Sequence, residues 1–319
     1  MHYSKTDDLL TTCVIGGSGF IGRAVVAELL ARGRKVIVVG RQTRPSVSLP
    51  SAVSYVTTSS ENALWQALKS SQEVIDLAYA TVPQTSFQDP INDIVVNLPE
   101  AVRLFDMVAS MPIHKFVWVS SGGTVYGRTN APLIAETHPT QPLSPYGITK
   151  LAIEKYAHMY FESRNLPIVC VRPSNAFGEG QRAYSGQGFI ATAIASILDG
   201  RELTLFGPNG TIRDYLHVTD MAAGIVAALL HGRPGEVYNI GSSQGLSNRQ
   251  VLDQLVPLAA NIGLEVRVQV LPVRSFDVPA NVLQNSKICA ETGWQQQLSF
   301  TKALAQTWTW YAEQSCRPH

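Results

Sequence analysis

Cysteine is scarce and unpaired in this chain of 319 residues, where Cys13, Cys170, Cys289 and Cys316 show no metal-ligand spacing and no disulfide framework. Cys13 and Cys170 lie in apolar, strand-like runs, where cysteine acts as a small hydrophobe. Charge is scarce too: Asp, Glu, Lys and Arg make up 15% of the chain, and the formal net charge is +1. Nucleic-acid binders and polybasic membrane proteins work through a basic footprint, which is missing here, so phosphate recognition has to be local. Long apolar runs are absent, and the longest, Met221 to Leu230, falls well short of a bilayer span. Met1 to Leu10 carries Lys5, Asp7 and Asp8 and no apolar h-region, so no signal peptide is expected and the cytoplasm is the expected compartment. The chain is 45% apolar, enough to build the core of one large α/β unit or about two domains.

Against these absences stands a run of glycines near the start. Thr12-Cys13-Val14-Ile15 reads as a buried strand, Gly16-Gly17-Ser18-Gly19-Phe20-Ile21-Gly22 follows, and a helical run continues to Arg32 before Gly33 caps it. Strand, glycine turn and helix is the context a dinucleotide fingerprint requires. Gly16 would make the tight turn, Gly19 would let the backbone approach a pyrophosphate, and Gly22 would let helix and strand pack closely. The helix N-terminus, with Phe20 and Ile21, would face the anion. The next strand, Lys35 to Val39, ends in Gly40-Arg41, where an acid would hold the adenosine ribose of NAD. An arginine beside a missing carboxylate also suits a 2′-phosphate, which leaves NADP open.

The second motif is Tyr146-Gly147-Ile148-Thr149-Lys150 at the start of a helical run. Four-residue spacing sets phenol and ammonium on one helix face. Free tyrosine, with a pKa of about 10, is a poor base near neutrality. A neighbouring cation and a positively charged nicotinamide would lower that value. Such a phenol can take and return the proton of a sugar hydroxyl while a hydride leaves the adjacent carbon.

Between and beyond these motifs, strands read at Val53 to Val56, Glu73 to Ala78, Lys115 to Ser121 and Pro167 to Arg172, with helices at Asn62 to Lys69, Asn97 to Ser110 and Tyr146 to Arg164. Six strands alternating with helices predict a right-handed, doubly wound parallel sheet of Rossmann type. Tyr79 to Pro90 is expected as a polar loop at the carboxyl end of the fourth strand, where ligands bind. Residues 1–172 are expected as the dinucleotide-binding domain. Residues 173–319 are expected as a smaller α/β substrate lobe, with room for part of it to return to the sheet.

Together the markers Gly16-x-x-Gly19-x-x-Gly22, Ser120-Ser121-x-x-x-Val125-Tyr126-Gly127, Tyr146-x-x-x-Lys150, Arg172-Pro173-x-Asn175, Arg213-Asp214-Tyr215-x-His217-Val218-x-Asp220 and Gly293-Trp294 resemble the extended short-chain dehydrogenase/reductase family, in particular its nucleotide-sugar epimerases of the UDP-galactose 4-epimerase type. The resemblance implies NAD, at a site including Ala78 as well as Gly16, Gly19, Phe20, Ile21, Gly22, Arg41, Tyr146 and Lys150. It implies a nucleotide-sugar substrate, UDP-linked, held by Asn175, by Arg213 and Arg274 at the phosphates, and by Asp277 at the ribose. Ser86 would lie near the substrate phosphate and Asn97 under the cofactor. It also implies a homodimer, paired through the helix after Asn97 and the helix carrying Tyr146. Arginine's planar fork suits phosphate oxygens, and the competing reading of Arg213 and Arg274 is ion pairing with Asp214 and Asp277. His217, His138 and His158 read as structural. No metal is implied.

Departures from the family pattern keep alternatives open. Gly122 stands where a serine or threonine hydrogen-bonds the reacting hydroxyl. Gly40 replaces the ribose acid, and Thr57, Thr58, Ser59 and Ser60 stand where an aspartate contacts the adenine. For Gly122, strand alternation turns Ser121 away and makes the Thr124 hydroxyl, or a water, the expected replacement. The expected reaction is inversion at C4 of the sugar through a 4-keto intermediate. A one-way NADPH reductase of a 4-keto sugar and a non-catalytic nucleotide sensor are the alternatives.

Overall fold

The computed structural model describes residues 10–45, 48–58, 61–274 and 278–315. The first half runs β1 (Thr11–Ile15), α1 (Phe20–Ala31), β2 (Lys35–Gly40), β3 (Val53–Thr57), α2 (Glu61–Lys69), β4 (Glu73–Asp76), α3 (Pro83–Gln88), α4 (Pro90–Ala109), β5 (Lys115–Val119), α5 (Gly122–Val125), α6 (Pro145–Arg164) and β6 (Ile168–Pro173). The second half follows as β7 (Asn175–Phe177), α7 (Phe189–Leu198), β8 (Leu203–Phe206), β9 (Ile212–His217), α8 (Val218–His231), β10 (Val237–Ile240), β11 (Gly245–Ser247), α9 (Asn248–Ala260), β12 (Val268–Leu271), β13 (Ala280–Asn281), α10 (Ser286–Thr292) and α11 (Phe300–Ser315).

Seven strands form a parallel sheet in the order β10-β6-β5-β4-β1-β2-β3, so the doubly wound architecture expected from the sequence is present. The order reverses beside β1, where the glycine turn emerges. The strands are near-continuous Val and Ile runs because both faces are covered. On one face α1 and α8 pack through Val25, Val26, Leu29, Met221, Ile225 and Leu229. On the other, α2, α4 and α6 pack through Leu68, Leu104, Phe105, Ile153 and Ala157. Chain beyond residue 173 does return to the sheet: β10 pairs in register with β6, Val237 opposite Cys170. A separate core is shared by α7, α9, α11, β8 and β9.

Two segments differ from the sequence reading. The stretch Tyr79 to Pro90 is not all loop, because Pro83 opens the short helix α3, where the Thr85 hydroxyl accepts the Val82 N–H at 3.0 Å. Helix α4 starts at Pro90, seven residues before Asn97; Asp89 caps it by accepting the Asn92 N–H at 2.9 Å, and the helix runs on through Pro99.

Helix α6 is fixed at both ends. Ser144 accepts the Gly147 N–H at 3.1 Å, Pro145 occupies the first turn, and Asn165 ends the helix in the left-handed region. Lower down, Arg172 grips Glu154 with two donors, at 3.0 and 2.6 Å, and the Ser120 hydroxyl donates to the same carboxylate. Arg172 also donates to the Tyr126 hydroxyl at 2.9 Å, and Tyr126 donates to Asn239 of β10 at 2.7 Å. This buried, internally satisfied network ties β5, β6, β10 and α6 together, and so sets the height at which Tyr146 stands over the sheet.

Candidate active site

A cavity of about 940 Å³ opens at the carboxyl ends of β1, β2 and β4. Gly16, Ser18 and Gly19 line one side, Gly40, Arg41, Gln42, Tyr55 and Thr58 another, and Ala78, Tyr79, Ala80 and Asn97 a third. Gly16 is in the left-handed region at φ 79°, and a Cβ there would fall 3.1 Å from the Ala78 nitrogen. At Gly22 a Cβ would fall 2.3 Å from the Gly16 oxygen, so the close helix–strand contact needs glycine. Phe20 and Ile21 lie in the first turn of α1, where backbone N–H groups have no intrahelical acceptor and attract an anion. Asn97 accepts the Ala80 N–H at 2.8 Å and so holds the loop that forms the far wall. A glycine cradle at a helix N-terminus, opening on a long cavity, fits a dinucleotide.

The adenosine end explains one departure. A Cβ on Gly40 would lie 2.5 Å from the Tyr55 hydroxyl, which donates to the Gln42 carbonyl at 2.8 Å. Tyr55 therefore occupies the space a carboxylate at position 40 would need. Arg41 lines this end of the cavity and is exposed. Thr58 lines it as well; Ser59 and Ser60 lie outside the described residues.

Tyr146 sits in the first turn of α6 with its backbone N–H on the Ser86 hydroxyl at 3.1 Å. The Ser121 side chain lies near enough to act on its phenol, favouring the charged form. The two candidate hydroxyls, Ser121 and Thr124, are turned differently. Ser120 is turned toward Glu154, so its neighbour Ser121 faces Tyr146, in extended backbone just before α5. Thr124 folds back inside that single turn and donates to the Ser121 carbonyl at 3.4 Å. Gly122 is no gap in the pocket either. A Cβ there would meet Leu283 Cδ1 at 2.5 Å and the Arg172 carbonyl oxygen at 2.9 Å, and Asn281 donates to the Gly122 carbonyl at 3.1 Å. Glycine at 122 leaves room for Leu283 beside the Arg172 carbonyl of β6.

Lys150 is buried one turn below Tyr146 and donates to the Val119 carbonyl at 2.8 Å. Burial pulls its pKa down to about 8, against the charges of Asp76, Glu154 and Asp93. Burial likewise holds the Tyr146 phenol above its ordinary range, Ser121 opposes this, and Asp93 adds to it. The expected lowering of the phenol by Lys150 is therefore overruled by desolvation in the protein alone. Asp76, at the end of β4, accepts the Ala78 N–H at 2.9 Å, and burial lifts its carboxyl to about 6.

The substrate-side residues divide. Asn175 is exposed at the start of β7, its Oδ1 close to Gly123 beside the Ser121 turn. Arg213 donates to the Ile212 and Val278 carbonyls at 2.8 and 2.9 Å. Arg274 lies over the Phe206 ring at 4.0 Å, beside a cavity of about 260 Å³ lined by Phe206, Asn209, Thr211 and Pro279. Asp214 is occupied by Ser242 and Leu283 N–H groups. Asp277 lies outside the described residues, as do Cys316 and the first nine residues. Ser86 is fully buried between the Pro83 carbonyl and the Tyr146 N–H, so it supports α6 rather than facing a phosphate. His217 bonds Thr219 and Glu179, and His138 bonds Thr129 and the Pro139 carbonyl. Among the described residues no cluster could hold a metal, and no helix is long and apolar enough to cross a membrane.

Residues 12–241 match the NAD dependent epimerase/dehydratase family, in agreement with the glycine cradle and with Tyr146 and Lys150 beside it. The chain belongs to that family. It is 29% identical, over 96% of its length and the whole of the relative, to a UDP-glucose 4-epimerase of Mycolicibacterium smegmatis. It is 26% identical to a dTDP-4-dehydro-6-deoxyglucose reductase of Escherichia coli, over 88% of this chain and 91% of that one. A Thermus thermophilus UDP-glucose 4-epimerase solved with NAD superposes at TM-score 0.85, with 30% identity over 95% of this chain and 99% of that one. A Thermotoga maritima UDP-glucose 4-epimerase solved with UDP-glucose superposes at 0.87, with 27% identity over 96% and 99%. NAD is the family's cofactor, in accord with the cradle.

Sequence reasoning passed over Tyr79, Trp118 and Asp76. An acid closing the apolar run Val74-Ile75 was a usable signal for Asp76; the two aromatics carry none that separates them from core.

Proposed function

We propose that this protein is an NAD-dependent nucleotide-sugar 4-epimerase acting on a UDP-hexose. The observation that carries the reading is the Tyr146 phenol with the Ser121 side chain acting on it and Lys150 one turn below, beside the dinucleotide cavity. Tyr146 takes the proton of the sugar C4 hydroxyl while Ser121 holds that hydroxyl in line. NAD, when bound, supplies the reversible hydride acceptor, and its positive ring offsets the burial that raises the phenol. Lys150 holds the nicotinamide ribose. The 4-keto sugar turns within the site, and Tyr146 returns the proton on the other face. Arg213 and Arg274 bind the diphosphate, Asn175 the sugar end, and Asp277 the nucleoside ribose.

The same reading assigns a homodimer in the cytoplasm. Helices α4 and α6 lie together and present Ile91, Val95 and Ile148, which are 70%, 61% and 56% exposed. Pairing these helices across a two-fold axis would cover that apolar face.

A ketoreductase using NADPH is the second reading, favoured by Arg41 beside a position 40 closed to an acid. Purified protein is to be denatured and its released cofactor identified, then assayed with UDP-galactose without added cofactor. Retained NAD and formation of UDP-glucose, abolished in Tyr146→Phe, support the epimerase. An empty site with turnover only on added NADPH and a 4-keto sugar supports the reductase.

A further inference from the structure

Lys150 carries its charge in an unusual setting. It is 3% exposed, and of its three N–H donors the Val119 carbonyl takes one. The carboxylates that act on it have other partners, although Asp93 Oδ2 accepts no hydrogen bond among the described residues. Glu154 on α6 is gripped by Arg172, Asp93 on α4 accepts from the Thr81 hydroxyl, and Asp76 at the end of β4 accepts the Ala78 N–H. What faces the ammonium at close range is aromatic. Its nitrogen is 4.0 Å from the centroid of Tyr79, 4.7 Å from that of Trp118 and 5.8 Å from that of Tyr146. Tyr79 comes from the loop after β4 and Trp118 from β5, and Asp76 and Trp118 are register partners in the sheet. Tyr79 also packs edge-on against Tyr146, ring centroids 4.9 Å apart, and both Tyr79 and Trp118 line the dinucleotide cavity. Burial holds the Tyr79 phenol above its ordinary range, so the ring stays neutral.

We propose that Tyr79 and Trp118 are positioning residues that seat the Lys150 ammonium on their ring faces and keep it charged beside Tyr146. A ring face attracts a cation through its quadrupole, and the attraction grows when both are taken out of water. The seat favours the charged ammonium as a paired carboxylate would, and adds no further negative charge to that of Asp93 acting on the phenol. The inference rests on Tyr146 and Lys150 being the reacting couple.

The test uses the full chain as purified, with lysine labelled at ¹³Cε and the Lys150 resonance assigned by its loss in Lys150→Arg. Tyr79 is half-buried in a loop, so its substitution spares the core. In Tyr79→Leu the Lys150 titration midpoint should fall by about one pH unit or more, and in Tyr79→Phe it should stay within a few tenths. The alkaline limb of kcat/KM for UDP-galactose should move with it. An unchanged midpoint in Tyr79→Leu, or the same fall in Tyr79→Phe, would overturn the seat. If the midpoint moves as expected while the unsubstituted protein shows no turnover, the seat stands and the proposed reaction falls.

Discussion

Ser120 donates its hydroxyl to Glu154, so its neighbour Ser121, the residue before a one-turn helix, points the opposite way, toward the Tyr146 phenol. Two adjacent serines thus serve two different ends of the molecule. Ser120 belongs to the buried network under α6, and Ser121 is the hydroxyl that the proposed reaction uses.

Ser121→Ala should therefore slow turnover about tenfold to a hundredfold, the cost of leaving a buried hydroxyl without its partner. Thr124→Val, whose hydroxyl only folds back on the Ser121 carbonyl, should stay within about threefold of the unsubstituted rate. Steady-state kinetics on both variants decide this. A crippled Thr124→Val with an active Ser121→Ala would reverse the assignment.

Gly122→Ser should not improve the enzyme. The new side chain would meet Leu283 and the Arg172 carbonyl, and overpacking of this kind costs about 1–3 kcal/mol. Thermal unfolding should show a lowered Tm with unchanged or reduced activity. Unaltered stability with a faster reaction would mean that position 122 opens to the substrate.

Arg41→Ala tests the adenosine end. If Arg41 meets a 2′-phosphate, its loss weakens NADP binding by about 1.5–3 kcal/mol and leaves NAD untouched. Titration with both dinucleotides gives the answer. Equal effects on the two, or none on either, would reduce Arg41 to a solvated loop residue.

Asp76 makes stability depend on pH. Its carboxyl is lifted by burial to about 6, above the ordinary value near 3.9, so the folded protein binds this proton more tightly than the unfolded chain. Carrying the charge costs stability above about pH 6; the cost shrinks as pH falls and is gone below about pH 4. Asp76→Asn keeps an acceptor for the Ala78 N–H and should gain on the order of 1–3 kcal/mol at pH 8, with Lys150 favouring the lower end, and nothing at pH 4. An equal gain at both pH values would mean that the effect is packing rather than charge.

The alternation of Val- and Ile-rich strands with helices made the sheet legible, and the spacing of Gly16, Gly19 and Gly22 made the cofactor cradle legible. Both are local patterns with a strict physical reason. Tyr146 and Lys150 were legible for the same reason, being one helical turn apart. What was not legible depends on distant chain. The facing of Ser121 is decided by Glu154, thirty-three residues later, and Gly122 is explained by Leu283 in the other lobe. That the N-terminus of α6 takes the Ser86 hydroxyl has no signal nearby in the sequence. The aromatic seat of Lys150 is assembled from a loop and a strand and had no pattern to read.

The most direct test of the proposed reaction is to incubate the purified protein, without added cofactor, with UDP-glucose carrying deuterium at C4. Hydride that leaves and returns within one site predicts UDP-galactose retaining the deuterium at C4, at a rate that collapses about 10²–10⁴-fold in Tyr146→Phe. No UDP-galactose, loss of the deuterium from C4, or a stoichiometric demand for added NADPH would contradict the account.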